Sequence, residues 1–124
     1  MSSFVEAGAV IGKNDKPLIW HQPNDASGGS LPDSRALWEF FLKNWKDIRG
    51  FAHSHPEGFY DPSWTDITTF AGIELGLDLR FDWWIVARKT SIVRWQGPDV
   101  YDYKVELLET EPSWAAELRV RSRK

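Results

Sequence analysis

The chain is 124 residues long, with 42% hydrophobic and 27% charged residues, which suits one compact globular domain but not two ordinary ones. A net charge of −3 and a pI near 5.6 argue against a nucleic-acid partner, and no apolar stretch approaches the length of a membrane span. The absence of cysteine excludes disulfides and thiolate zinc sites, and it fits a reducing cytoplasm, which is the location we expect.

Hydrophobic periodicity and turn residues divide the chain into strands and helices. The first half is expected to contain, in order, strands over residues 4–12 and 18–21, a loop over 22–32, a helix from Asp33 or Ser34 to about Trp45, and a strand over 48–53. The second half is expected to contain a helix from Pro62 or Ser63 to about Leu77 and strands over 79–87, 91–95 and 101–108. The loop could form a mobile flap, and the strand with Trp83 and Trp84 is apolar enough to be central.

The order of these elements, β-β-α-β-α-β-β-β, predicts the fold class. We expect an α/β (α+β) fold in which two main helices pack on a single mixed β-sheet. Residues 1–118 are expected to form this one domain. Residues 119–124 include four basic side chains and are predicted to be a solvated C-terminal tail.

Two histidines at the end of the third predicted strand are the most informative feature. His53 and His55 are two positions apart, so both side chains point to one face of the strand. Asp66 is in the first turn of the next predicted helix, from which its carboxylate can turn back toward the strand end. Two imidazoles and a carboxylate form a ligand set of catalytic zinc, which keeps one position for water and lowers the pKa of that water to roughly 7. The sequence therefore predicts a zinc-dependent hydrolase.

Ser63 lies one helical turn before Asp66 and has two interpretations. Its hydroxyl could donate a hydrogen bond to the oxyanion during hydrolysis. Residues 63–66 also match a helix capping box, with aspartate in place of the usual glutamate. Two histidines at this spacing are by themselves a common coincidence, so the combination of all four residues is what indicates a site.

Residues 53–66 resemble a known family motif. His-x-His-Pro followed by Pro-Ser-x-x-Asp, with seven residues between His55 and Ser63, is similar to the motif of the JAMM (JAB/MPN) metalloproteases, in particular their small prokaryotic or phage-type members. The resemblance implies an MPN/cytidine-deaminase-like fold. It implies a zinc metallopeptidase or isopeptidase that cuts at the C-terminal tail of a ubiquitin-like or sulfur-carrier protein. It also implies that His53, His55 and Asp66 bind zinc and that Ser63 assists the oxyanion.

The same resemblance requires a general base on an early strand. Glu6 is the candidate, because it is the only acid in an apolar strand, where an isolated carboxylate is costly without a task or a partner. If the glycines of that strand are aligned with the family pattern, however, the base position falls on Val5. Glu57 in the following loop and Glu39 on a helix face are weaker candidates.

Other classes of protein compete with this interpretation. A cupin also uses His-x-His, but with a glutamate about four or five positions later and an all-strand barrel, and a non-haem iron site usually has its acid nearer the first histidine. A non-catalytic MPN-like scaffold, or a phage-assembly or DNA-repair module, could keep the metal site. We expect a protein or peptide substrate and neither nucleic acid nor membrane. Gly28, Gly29 and Trp64 could line a groove for an extended peptide, or could be a connection and a packed ring.

Overall fold

The computed structural model describes residues 4–22, 35–56 and 58–123. The strands in this part of the chain are β1 (Gly8–Gly12), β2 (Pro17–His21), β3 (Ile48–Ser54), β4 (Asp82–Val86), β5 (Thr90–Trp95) and β6 (Tyr103–Leu107). The helices are α1 (Arg35–Asn44), α2 (Trp64–Leu77), α3 (Trp114–Arg121) and a short 3-10 turn over Trp45–Asp47. The architecture is α+β with one mixed sheet, as the sequence predicts.

The six strands form one open sheet in the order β2-β1-β3-β4-β5-β6. β3 and β4 are parallel, whereas the other neighbouring pairs are antiparallel. A parallel pair needs a crossover connection, and α2 supplies it. The C-terminal ends of β3 and β4 therefore lie at the same edge of the sheet. The predicted central strand is confirmed, because β4 lies between β3 and β5.

Different helices cover the two faces of the sheet. α1 and α2 pack on one face, where Phe41 and Phe70 join a core that includes Phe51 of β3. α3 packs on the opposite face, where Trp114 meets Trp84 with ring centroids 5.2 Å apart. Side chains alternate along a strand, so successive residues of β3 face α2 and α3 in turn. This alternation decides which side chains of β3 reach the site.

The first strand is shorter than predicted. β1 begins at Gly8 rather than four residues earlier. The Val5 N–H donates to the Ser122 carbonyl at 2.8 Å, and the Ala7 N–H donates to the Ser54 hydroxyl at 2.9 Å. The backbone at Val5 is therefore held by the C-terminal part of the chain, whereas Ala7 still contacts the end of β3.

Two of the four basic residues of the predicted solvated tail belong instead to a helix, and Lys124 lies outside the described residues. Arg119 and Arg121 belong to α3, and each pairs with an acid: Arg119 Nη1 lies 2.9 Å from Glu111 Oε2 and Arg121 Nε lies 3.1 Å from Glu117 Oε1. Ser122, directly after the helix, is buried. Residues 119–121 are thus helical, and α3 is a third helix that the sequence analysis did not predict.

Some predictions fall on residues 23–34, which lie outside the described part of the chain. These are most of the predicted flap, its two glycines and the cap of α1. Glu57 also lies outside the described residues. Within the described ranges, no helix combines the length and apolarity needed to cross a membrane.

Candidate metal centre

The end of β3 brings His53 and His55 together. His55 lies just beyond the strand. Its backbone N–H donates to the Val86 carbonyl at 3.0 Å and extends the pairing with β4. The two Nε2 atoms are 2.9 Å apart. The His53 ring is buried against Phe51, which stacks on it at 6.2 Å between centroids, and against the edge of Phe70. Packing and backbone pairing therefore hold both imidazoles in place.

Asp66 reaches the same point from the first turn of α2. Its Oδ2 lies 3.3 Å from His53 Nε2 and 3.1 Å from His55 Nε2. The same oxygen accepts the Ser63 N–H at 2.8 Å, and the Asp66 N–H donates to Ser63 Oγ at 3.1 Å. The capping box is therefore present, and it orients the carboxylate toward the histidines. The two interpretations of Ser63 and Asp66 are compatible, because the cap positions the predicted ligand.

Glu6 is the second carboxylate at the histidines. It is 2% exposed, and its Oε1 lies 3.7 Å from His55 Nε2. The position of Glu6 depends on Ala7, which directly follows it. The Ala7 N–H donates to the Ser54 hydroxyl, and the Ala7 carbonyl accepts the Ser54 N–H at 2.9 Å. The segment before β1 therefore approaches the end of β3 and brings the Glu6 carboxylate to the histidines.

Two other candidates for the base, Val5 and Glu39, do not meet the histidines, and Glu57 lies outside the described residues. Val5 offers only an aliphatic side chain, and its backbone is bonded to the C-terminal segment. Glu39 lies on α1, where its carboxylate is exposed and pairs with Arg35 at 2.8 Å. Among the residues that the structure describes, Glu6 is thus the predicted base that lies at this site.

The donor set fits a divalent cation. The Phe59 carbonyl can only accept, so His55 Nδ1, 2.9 Å away, donates to it, and in the neutral ring the Nε2 lone pair faces the cluster. Ligand atoms at about 2.0–2.1 Å from a tetrahedral zinc lie roughly 3.3 Å from one another. The separations of 2.9, 3.1 and 3.3 Å among the two Nε2 atoms and Asp66 Oδ2 are close to that value.

A metal-binding group that includes Glu6 is also present. Each of Glu6, His53 and His55 contributes one ligand atom, and these three atoms lie within 4.8 Å of one another. This buried group could hold a metal ion. Both possible sets share the histidines and differ in the carboxylate. With two carboxylates at one histidine pair, one can serve as a ligand while the other exchanges protons.

The two carboxylates differ in acidity. Burial raises the pKa of Glu6 to about 7, where His55 opposes the rise and Asp66 adds to it. Burial acts in the same direction on Asp66, but hydrogen bonds with His53 and His55 hold the pKa of Asp66 well below its ordinary value. Burial disfavours the charged His55 ring, yet Asp66 and Glu6 raise the pKa of His55. Glu6 can therefore exchange a proton near neutral pH, whereas Asp66 stays ionised and available as a ligand.

Three residues that support the site were not singled out by the sequence analysis. Ser54 lies between the histidines and faces the opposite side of β3, where its Oγ is 2.6 Å from Ser122 Oγ. The alternation of side chains along β3 could have predicted that Ser54 faces away from the histidines. No local sequence pattern indicates that Ser122 contacts it. Gly8 lies opposite His53, and a Cβ on it would come within 2.4 Å of the Phe51 ring that packs on that histidine.

Comparison with known proteins does not assign the chain to a family. No protein-family model matches it, and no curated protein matches it. The likeness to the JAMM metalloproteases therefore depends on residues 53–66 and on Glu6. The geometry of these residues, rather than overall sequence similarity, has to support any function.

Proposed function

We propose that this protein is a zinc-dependent metallopeptidase or isopeptidase of the JAMM type. One observation carries the proposal: two imidazoles and the Asp66 carboxylate converge at the end of β3, and a second, buried carboxylate lies 3.7 Å from one of the imidazoles. Perturbed carboxylates next to a metal-ligand set are typical of hydrolytic sites.

Each residue has a role in the hydrolysis of a peptide bond. His53, His55 and Asp66 would hold the ion, and bound zinc supplies Lewis acidity and lowers the pKa of the attacking water. Glu6 accepts the proton of that water and returns it to the leaving amine. Ser63 Oγ accepts the Asp66 N–H, which leaves the hydroxyl proton of Ser63 to donate to the oxyanion.

The surroundings of the site suit a polypeptide substrate. Phe59 is 67% exposed and Trp64 is 66% exposed, although the backbone of each lies next to a site residue. Trp64 also packs on Tyr101 with ring centroids 5.2 Å apart. Exposed aromatic rings are common where proteins bind peptides. The family likeness favours the C-terminal tail of a ubiquitin-like or sulfur-carrier protein, and the lack of cysteine favours the cytoplasm.

Metal content tests the ligands. We expect close to one zinc per chain by elemental analysis, and we expect His53→Ala and Asp66→Ala to lose most of it. Glu39→Ala removes an exposed acid from α1 and should keep the metal. Full zinc occupancy in both ligand variants would contradict the assignment of these residues.

Cleavage tests the enzyme. The substrate is a ubiquitin-like protein fused through its Gly-Gly tail to a reporter. Glu6→Gln should keep the zinc and lower the cleavage rate by at least about 100-fold, because the proton acceptor is lost. Unchanged turnover in Glu6→Gln would place the base elsewhere. Zinc binding without cleavage of such fusions would favour a non-catalytic module that retains the metal site.

A further inference from the structure

A basic cavity lies on the α3 side of His55. Its volume is about 570 Å³, and the ends of β3 and β4 line it together with α3 and the residues that follow. Among its described lining residues, Arg88, Arg119 and Arg123 are arginines and none carries a carboxylate. His55 belongs both to this cavity and to the candidate metal centre. The cavity therefore places positive charge next to the site of the proposed reaction.

Arg119 is part of the wall of this cavity. Its Nε donates to the Ala87 carbonyl at 2.7 Å, and its Nη2 donates to the Arg88 carbonyl at 3.0 Å. Its Nη1 donates to Glu111 Oε2 at 2.9 Å, so a carboxylate offsets its charge. This guanidinium joins α3 to the end of β4 and fixes the shape of the cavity.

Arg88 and Arg123 are the exposed arginines of the cavity. Within residues 4–22, 35–56 and 58–123, no acid forms an ion pair with Arg123. The chain as a whole carries a net charge of −3, so this concentration of arginine is local. Guanidinium groups bind carboxylates through paired, charge-assisted hydrogen bonds.

We propose that this cavity binds a carboxylate of the substrate next to the bond that is cleaved. The inference rests on the proposed function, which places that bond at the metal held by His55. The carboxylate has two possible sources: the free C-terminus of the released residue, or an Asp or Glu side chain beside the cleaved bond. The acidic net charge and the small number of arginines favour a peptide carboxylate over the phosphates of a nucleic acid.

The test uses four labelled peptides of one Gly-Gly-containing sequence. They combine a free or an amidated C-terminus with Asp or Asn after the glycines. Dissociation constants are measured with the zinc-loaded full chain carrying Glu6→Gln, which binds without cleaving. We expect an acidic peptide to bind about tenfold tighter than its neutral partner, and the pair that shows the preference identifies the source of the carboxylate.

Variants locate the preference in the cavity. Arg88→Gln combined with Arg123→Gln should reduce it to less than about threefold, because the exposed guanidinium groups are gone. Arg35→Gln combined with Lys43→Gln on α1 is a matched loss of two charges away from the cavity and should leave the preference intact. Circular dichroism and zinc content verify that the double variant is folded.

The outcomes separate this inference from the proposed function. Equal affinity for acidic and neutral peptides, a preference that survives the double variant, or stronger binding of an oligonucleotide than of any peptide would overturn the inference. Wild-type cleavage without an acid preference overturns the inference and leaves the peptidase standing. Acid-selective binding without wild-type cleavage of the same peptides supports carboxylate binding by the cavity, but it overturns the placement beside a cleaved bond and counts against the peptidase.

Discussion

Two buried glutamates in this protein have opposite surroundings. Glu6 and Glu74 are each 2% exposed. Glu74 on α2 accepts the Phe81 N–H at 2.8 Å and the Trp83 indole N–H at 3.0 Å through Oε2, and its Oε1 accepts the Tyr103 hydroxyl. Glu6, in contrast, receives no hydrogen bond from any described residue, and its Oε1 lies 3.7 Å from His55 Nε2, beyond hydrogen-bond distance.

The comparison shows that burial alone does not tell what a carboxylate does. Three donors from β4, β6 and the loop before β4 compensate the lost hydration of Glu74, so this residue ties α2 to the sheet. Burial and the hydrogen bond to Glu74 also raise the pKa of Tyr103, which keeps that donor protonated. Glu6 lacks such compensation. An uncompensated buried carboxylate is a feature of reactive sites rather than of stable cores.

The largest expected effect is on stability at Glu74. In Glu74→Leu, the leucine side chain is of similar size but cannot accept hydrogen bonds. The Phe81 N–H, the Trp83 indole and the Tyr103 hydroxyl therefore lose their partner. We expect the free energy of unfolding to fall by about 3–5 kcal/mol in urea denaturation. Glu39→Leu, on an exposed helix face, should change it by less than about 0.5 kcal/mol. Similar losses in the two variants would remove the contrast between buried and exposed acids.

The next effect concerns the residue that positions Glu6. Ser54→Ala removes the acceptor of the Ala7 N–H, and we expect a loss of about 1–3 kcal/mol in the free energy of unfolding. Because Ala7 directly follows Glu6, the cleavage rate should fall while zinc content stays near one per chain. Ser122→Ala keeps the Ser54 acceptor and should lower the cleavage rate less. Equal rates in the Ser54 variant and the wild type would show that Glu6 is placed without this bond.

The smallest effect is a gain of stability at Glu6 in the metal-free protein. Burial raises the pKa of Glu6 from 4.5 to about 7, so the folded chain disfavours its ionised form. The Glu6 carboxyl therefore lowers the stability of the folded chain increasingly as the pH rises from about 4.5 to about 7. Above about pH 7 the whole destabilising effect is present. The full pKa difference corresponds to about 3 kcal/mol, and relaxation and water penetration around the carboxyl reduce the effect, so Glu6→Gln should stabilise the metal-free chain by roughly 1–2 kcal/mol at pH 8 and by almost nothing at pH 4. A loss of stability at pH 8 would mean that Glu6 is compensated after all.

Local sequence patterns predicted much of the fold and the centre of the site. Alternation and helical spacing predicted the six strands, the two main helices and the central position of β4. The His-x-His spacing at a strand end predicted that both imidazoles share a face, and the Ser63-to-Asp66 spacing predicted the helix start. α3 was missed because it is only eight residues long and ends in a run of basic side chains, which by itself indicates a solvated tail.

The sequence by itself determined which side chains share a strand face or a helix turn, because those relations depend on the fixed repeat of each element. Only the tertiary structure decided that Glu6 rather than Val5 meets the histidines, since Ala7 and Ser54 are 47 positions apart in the chain and their bond depends on how β1 and β3 pair. The same holds for the partners of Glu74 and for the arginines beside His55. Such contacts follow from the packing of distant elements against one sheet, and no local repeat encodes them.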